Sequence, residues 1–206
     1  MLGYYDYTII LTLLSVSSGA VGLYHAACQR PVISILCLML SGLLDAFDGT
    51  VARTKKDRTE EERKFGIQLD SLADLFCFGA LPVTIGYAVG MHGWMIIIMV
   101  VYILAALIRL AYFNVTEEAL CGKKRESYLG LPVTSVSLIL PVIYSFRRLI
   151  GACFTYVYAA ALLLIAIAFV SKFRIKKFGV KGILVLVAIG IIELLWLVLG
   201  RTYGII

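Results

Sequence analysis

Hydrophobic residues along this chain gather into runs at about 7–27, 32–52, 67–90, 94–113, 131–147, 152–170 and 182–200, divided by short polar connections. An α-helix rises about 1.5 Å per residue, so about 17–25 apolar residues cross the roughly 30 Å hydrocarbon core of a bilayer. The pattern predicts an all-α, polytopic integral membrane bundle of about seven transmembrane helices, folded as a single membrane domain over residues 1–206. Composition agrees: 61% of residues are hydrophobic and 16% charged, and the mean hydropathy is +0.95. A soluble domain of 206 residues does not carry that much apolar surface.

The net charge of +6 does not change this picture into that of a nucleic-acid binder, because the basic residues lie between the apolar runs. Residues 54–65 hold five Lys and Arg, 114–128 three and 171–181 five, whereas the alternate connections hold only Arg30, Arg147, Arg148 and Arg201. Positively charged loops stay cytoplasmic, which predicts an inside amino terminus, an outside carboxyl terminus and a multi-pass protein of the cell membrane. Met1–Tyr7 lacks a basic segment, so the first run is expected to be a span and not a cleaved leader. Cys28, Cys37, Cys77, Cys121 and Cys153 form no CxxC or Cys/His cluster and read as packing residues. His25 and His92 are expected at the helix ends remote from the acidic loop, and Trp94 and Trp196 at the membrane interfaces.

One polar connection interrupts the pattern differently, because acids invade the apolar runs on both sides of it. In DAFDGTVARTKKDRTEEERKFGIQLDSLAD, Asp45, Asp48, Gly49, Ala52 and Arg53 recur at helical spacing, as do Gly66, Asp70 and Asp74. Each segment, as a helix, presents one carboxylate face, and two such faces opposed would enclose four carboxylates. Arg53 is the only cation on those faces, so ion pairing cannot neutralise four acids. All-oxygen ligation suits the hard ions Mg2+ and Mn2+. Gly49 and Gly66 leave room for a ligand at the backbone, and Arg53 can fork onto a phosphate. The mixed charges Asp57 to Lys64 read as a solvated face.

The pattern Asp-x-x-Asp-Gly-x-x-Ala-Arg followed by Gly-x-x-x-Asp-x-x-x-Asp resembles the signature of the CDP-alcohol phosphatidyltransferases, integral membrane enzymes of phospholipid synthesis, with all eight positions filled. Twelve residues separate Arg53 from Gly66 where that family usually has about eight, an added length that a polar loop or surface helix tolerates. DSLADLFCFG after Ile67–Leu69, RLAYFN at Arg109–Asn114 and GLPV at Gly130–Val133 are similar to the phosphatidylserine synthase branch. Tyr112 stands where that branch more often has Arg. The resemblance implies a six-helix catalytic core over about residues 8–172 and an extra carboxyl-terminal helix over about 180–203, where Glu193 is expected to pair structurally or at a subunit contact.

The resemblance further implies metal-dependent transfer of a phosphatidyl group from CDP-diacylglycerol to an alcohol, with L-serine the expected acceptor and a homodimer the expected assembly. Asp45, Asp48, Asp70 and Asp74 would hold two Mg2+ or Mn2+ ions, with Asp74 also the catalytic base; Gly49, Ala52, Arg53 and Gly66 would contact CDP-diacylglycerol. Arg109 is placed to meet the serine carboxylate and Asn114 its amine, although a helix-end Arg can also simply snorkel. Lys123, Lys124 and Arg125 would suit glycerol 3-phosphate or inositol phosphate instead. In the first helix, Thr12, Ser15, Ser17, Ser18, Gly19 and Gly22 are expected to serve close helix packing or, as related enzymes imply, the cytidine pocket. A cation transporter is the reading from another class, but its acids would lie near the bilayer midplane, whereas these cluster at one face.

Overall fold

The computed structural model describes residues 3–52, 54, 55, 57, 59–119, 127–176, 188, 190–193 and 195. Five stretches are long and apolar enough to cross a membrane: Tyr7–Ala27, Pro31–Ala52, Glu60–Ala88, Gly93–Thr116 and Arg147–Val170. A shorter apolar helix, Val133–Ser145, completes six. The expected seventh span, with Trp196, lies for the most part outside the described residues, of which 190–193 are helical. Exposed Ile97, Ile108 and Leu164 face outward while Phe78, Leu81, Ile85, Tyr102, Tyr144 and Tyr158 fill the interior, the arrangement expected of a bundle solvated by lipid.

Helices α1 (Ile10–Ala27) and α2 (Pro31–Ala52) form an antiparallel hairpin. The turn between them is a Schellman closure: Arg30 N–H donates to His25 O at 2.9 Å, and Gln29 takes the left-handed conformation at φ 57°. Pro31 then opens α2, where its missing N–H and preset φ fit the first helical position. Small residues let the two helices touch. Ser15 Oγ donates to Ser41 O at 3.2 Å, Ser41 Oγ to Ser15 O at 3.0 Å and Ser18 Oγ to Cys37 O at 3.0 Å, while a Cβ on Gly22 would lie 2.9 Å from that of Cys37. These contacts support the packing reading of the first helix and leave the Ser15 hydroxyl engaged inside the protein.

Helix α3 (Glu60–Asp74) begins earlier than the apolar pattern suggests. Thr59 Oγ1 accepts the Glu62 N–H at 3.1 Å and Glu62 Oε2 accepts the Thr59 N–H at 3.0 Å, a reciprocal capping box that starts the helix inside the charged run. Glu60, Glu61 and Glu62 in its first turn complement the helix dipole. After Asp74 the helix loosens into a π segment, Leu75–Ala80, where Leu81 N–H reaches back to Phe76 O, and then resumes as α4 (Leu81–Ala88). Pro82 explains the change of pitch. It lacks the N–H that would have served the carbonyl of Phe78, and the Tyr102 hydroxyl takes that carbonyl instead at 2.7 Å.

Helix α5 (Ile96–Ala119) carries Tyr102, and α6 (Val136–Ser145), interrupted by Pro141, is followed by the four-residue α7 (Arg147–Ile150) and by α8 (Phe154–Val170). The short antiparallel pair β1 (Ser127–Leu129) and β2 (Arg174–Lys176) is the exception to an all-helical fold. It holds the segment before α6 against the end of α8, where Gly130 N–H donates to Phe173 O at 2.7 Å and Leu131 N–H to Ala168 O at 3.1 Å. Gly130 sits at φ 71°, and a Cβ there would approach Phe169 O and Ser171 O to 2.9 Å. Gly130→Ala is therefore expected to lower the unfolding temperature, at a cost of about 1–3 kcal/mol from the backbone conformation alone. Thermal unfolding in detergent measures it, and an unchanged midpoint would show that the turn relaxes freely.

Chain reversals place the end of α2, the start of α3, the ends of α5 and α8 and the start of α6 at one end of the bundle. The sequence-predicted acids all belong to that end.

Candidate active site

The last turns of α2 and of α3 supply the four acids. Carboxylate oxygens of Asp45, Asp70 and Asp74 lie within 4.8 Å of one another, each side chain partly exposed. Across the two helices, the Asp45 carboxyl meets that of Asp74 and the Asp48 carboxyl meets that of Asp70. The Thr12 hydroxyl on α1 donates to Asp48 Oδ2 at 3.2 Å, so all three helices meet at the cluster. Among the described residues the ion pairs are Lys55–Asp6, Lys55–Glu62 and Lys64–Glu60, none of which involves the four acids. Opposed carboxylates this close repel unless a cation or proton lies between them, and a donor set made wholly of carboxylate oxygen fits Mg2+ or Mn2+. The chain's own donors thus match the metal that the resemblance implies.

A Cβ built on Gly49 would meet nothing within 4 Å, so internal packing does not require glycine there. The open space instead admits a ligand to the backbone beside Asp48. Ala52 and Gly66 are partly exposed on the same two helices, and Arg53 lies outside the described residues.

Of the expected acceptor residues, Asn114 is held at the cluster: the Ser71 hydroxyl donates to its Oδ1 at 2.9 Å, one residue from Asp70. Arg109 is only 6% exposed, and its Nε donates to Leu131 O at 3.2 Å. This replaces the picture of a helix-end Arg snorkelling to water. Along α5, Arg109 lies between Tyr102, which bonds Phe78, and Asn114, which bonds Ser71. Its level on the facing helix therefore falls in the stretch 71–78 that contains Asp74. Lys123, Lys124, Arg125 and Cys121 lie outside the described residues; Cys28, Cys37, Cys77 and Cys153 are free thiols. His25 and His92 stand at the opposite end of the bundle from the acids, as expected, against the rings of Tyr24 and Tyr87. Glu193 is buried, with neither carboxylate oxygen hydrogen-bonded among the described residues.

Periodicity alone does not reveal a strap across the start of α3. Lys55 Nζ donates to Asp6 Oδ2 at 2.8 Å and to Glu62 Oε1 at 3.0 Å, the Tyr7 and Thr54 hydroxyls lie 3.1 Å apart, and Tyr4 bonds Glu61 and stacks edge-on against Phe65. Only a basic residue in the loop, facing an acid before the first span, hinted at it. The Lys55 ammonium, with Thr8, holds Asp6 below the ordinary aspartate range, at about 2. A depressed carboxylate stabilises above its unfolded pKa and loses that contribution as pH falls through its folded one. Protection of the amides of residues 4–8, their exchange taken relative to the intrinsic rate at the same pH, is accordingly expected to fall between about pH 4 and about pH 2, with Lys55→Met abolishing that fall. Protection that is flat with pH in the parent protein would overturn the strap.

Fold and site together define a polytopic helical membrane protein with an all-carboxylate centre at one end of its bundle. The chain belongs to the CDP-alcohol phosphatidyltransferase family, whose pattern it matches over residues 7–200. It is 29% identical over 141 residues to a CDP-diacylglycerol–serine O-phosphatidyltransferase of Helicobacter pylori, covering 66% of this chain and 56% of the relative. The protein of the same description from Saccharomyces cerevisiae is 35% identical over 118 residues, 54% of this chain and 41% of that one. An archaetidylserine synthase of Methanothermobacter thermautotrophicus is 28% identical over 162 residues, 78% and 67% of the two chains. The chain spans about half the length of the first two relatives.

Proposed function

We propose that this protein transfers a phosphatidyl group from CDP-diacylglycerol to L-serine, giving phosphatidylserine and CMP. The observation that carries the reading is the carboxylate cluster on the facing signature helices, with Asn114 tied to Ser71 beside it. When bound by Asp45, Asp48, Asp70 and Asp74, two Mg2+ or Mn2+ ions supply charge neutralisation for the diphosphate and polarise the phosphorus under attack. Asp74 accepts the proton of the serine hydroxyl, which is a poor nucleophile until that proton has somewhere to go. The serine oxygen forms its bond to the phosphorus that carries diacylglycerol, and the bond to CMP breaks. Gly49, Ala52 and Gly66 leave room for the nucleotide diphosphate and Arg53 neutralises it. Arg109, anchored through Nε at the depth of Asp74, receives the serine carboxylate, and Asn114 receives the amine.

The relatives' names agree on a seryl product and differ in the lipid, so an archaetidyl donor is the second reading, favoured by the 78% of this chain matched to the archaetidylserine synthase. The basic connections flank the acidic end, which supports a cytoplasmic site in the cell membrane; acyl chains then stay in lipid while serine arrives from water. A homodimer is part of the same proposal, as is the division into a catalytic core over about 8–172 and an added helix over about 180–203. The test measures CMP release by purified protein with Mg2+ or Mn2+ and either lipid donor, offered serine, glycerol 3-phosphate, inositol or inositol phosphate in turn. Turnover with serine alone is expected. Use of another alcohol without serine overturns the acceptor, and no CMP with any of them overturns the reaction.

A further inference from the structure

At the end of the bundle remote from the acids, a cleft of about 300 Å³ opens between the α1–α2 turn and the end of α6. Its walls include Gln29, Arg30, Pro31, Val32, Tyr144 and Arg147. Four features of this cleft converge on one kind of ligand. First, two guanidiniums line it, and neither has an acidic partner among the described residues. None of the chain's 13 Asp and Glu lies in the connections 28–30, 89–95 or 146–153, which make up this end among the described residues and carry Arg30, Arg147 and Arg148. Second, Arg147 is held in place: Nη1 donates to the Tyr144 hydroxyl at 2.9 Å and the guanidinium carbon lies 5.7 Å from that ring's centre. An arginine fork has five N–H donors, so this contact leaves others for an anion.

Third, the cleft opens at the amino terminus of the 22-residue α2, where helix geometry leaves the N–H groups of Val32 and Ile33 without intrahelical partners and the dipole is positive. Fourth, Gln29, one of the residues that line the cleft, adopts φ 57° where glycine would be less strained, and it carries a side-chain amide that glycine would lack. Exposed Tyr24, Tyr87, Trp94 and Tyr156 stand at the same end of the bundle, the ring of aromatics that marks headgroup depth. A cationic cleft at that depth, with Pro31 and Val32 forming an apolar wall, suits the phosphate and glycerol of a lipid better than a free ion.

We infer that this cleft is a binding site for the phosphate of an anionic phospholipid headgroup in the leaflet opposite the acidic centre, held by Arg30, Arg147 and the Gln29 amide. The site is independent of the proposed reaction.

Phosphatidylglycerol is the probe. The protein is purified in neutral detergent with a chelator present, so that the acidic centre does not recruit phosphate through divalent ions, and equilibrated with equal phosphatidylglycerol and phosphatidylcholine. Retained lipid is counted by native mass spectrometry. The parent protein is expected to prefer phosphatidylglycerol, and the preference should fall about fivefold for each arginine removed in Arg30→Gln and Arg147→Gln. Gln29→Gly relieves backbone strain while removing the amide; it should reduce the preference without lowering the unfolding temperature. Lys172→Gln, an exposed change at the other end, should leave the preference intact. Undiminished preference in the double arginine variant overturns the site. Competition by inorganic phosphate as effective as by lipid overturns the lipid assignment in favour of a free anion.

Discussion

Asp70→Asn is expected to abolish CMP release, with turnover falling on the order of 10³-fold or more, because it removes one proposed charged ligand from a centre in which Asp45, Asp70 and Asp74 converge within 4.8 Å. The amide keeps the shape of the carboxyl and one oxygen, so α3 and its contact with α2 should survive. Divalent metal binding, followed by Mn2+ titration, should weaken in parallel with turnover. Removing one of four clustered like charges also relieves repulsion, so the metal-free variant should unfold no earlier than the parent. If the acids instead stabilised the fold, unfolding would move to lower temperature. Near-normal CMP release from folded Asp70→Asn protein would sink the metal centre. Asp74→Asn should also lose turnover yet keep more nucleotide binding if, as proposed, its larger role is to take the serine proton. Equal loss of CDP-diacylglycerol binding in both variants would reduce Asp74 to a ligand.

Arg109→Ala should raise the KM for serine about tenfold to hundredfold while changing that for CDP-diacylglycerol far less. A partly desolvated contact between guanidinium and carboxylate is worth about 1.5–3 kcal/mol, and lost ground-state binding appears mainly in KM. The geometry complicates the simple truncation. Arg109 is buried and its Nε serves the Leu131 carbonyl, so alanine both opens a gap and strands an acceptor. Arg109→Lys separates the effects by keeping a cation at the same depth without the planar fork. Partial recovery of serine KM with lysine identifies a charge that the substrate reads. Proportional increases in both KM values, unrescued by lysine, would leave Arg109 as a structural tie between α5 and the segment before α6.

The spans and the two acidic faces were legible in the sequence because helical geometry is local: residues three and four apart share a side wherever the helix lies. Asp45 with Asp48, and Asp70 with Asp74, therefore declare their faces without reference to a neighbour. The small residues of the first helix likewise announced close packing. The start of α3 was written in Thr59 and Glu62, but the surrounding charges read equally as a loop or a surface helix until the capping box decided for helix.

Other features required the assembled bundle. That Asp45 meets Asp74 and Asp48 meets Asp70 depends on how α1, α2 and α3 seat together. Gly42 shows the same dependence, since a Cβ there would fall 2.1 Å from Ser137 Oγ on α6. The π segment after Asp74 persists because Tyr102, from another helix, takes the carbonyl that Pro82 leaves unserved. Arg109 is buried because Leu131, across a chain reversal, offers it a carbonyl, and the strap exists because Asp6 and Glu62 converge on one lysine. Periodicity determines which way a side chain faces along its own helix. What stands opposite it, 20 to 60 residues away, is decided only when backbones pack closely enough for polar atoms to find partners out of water.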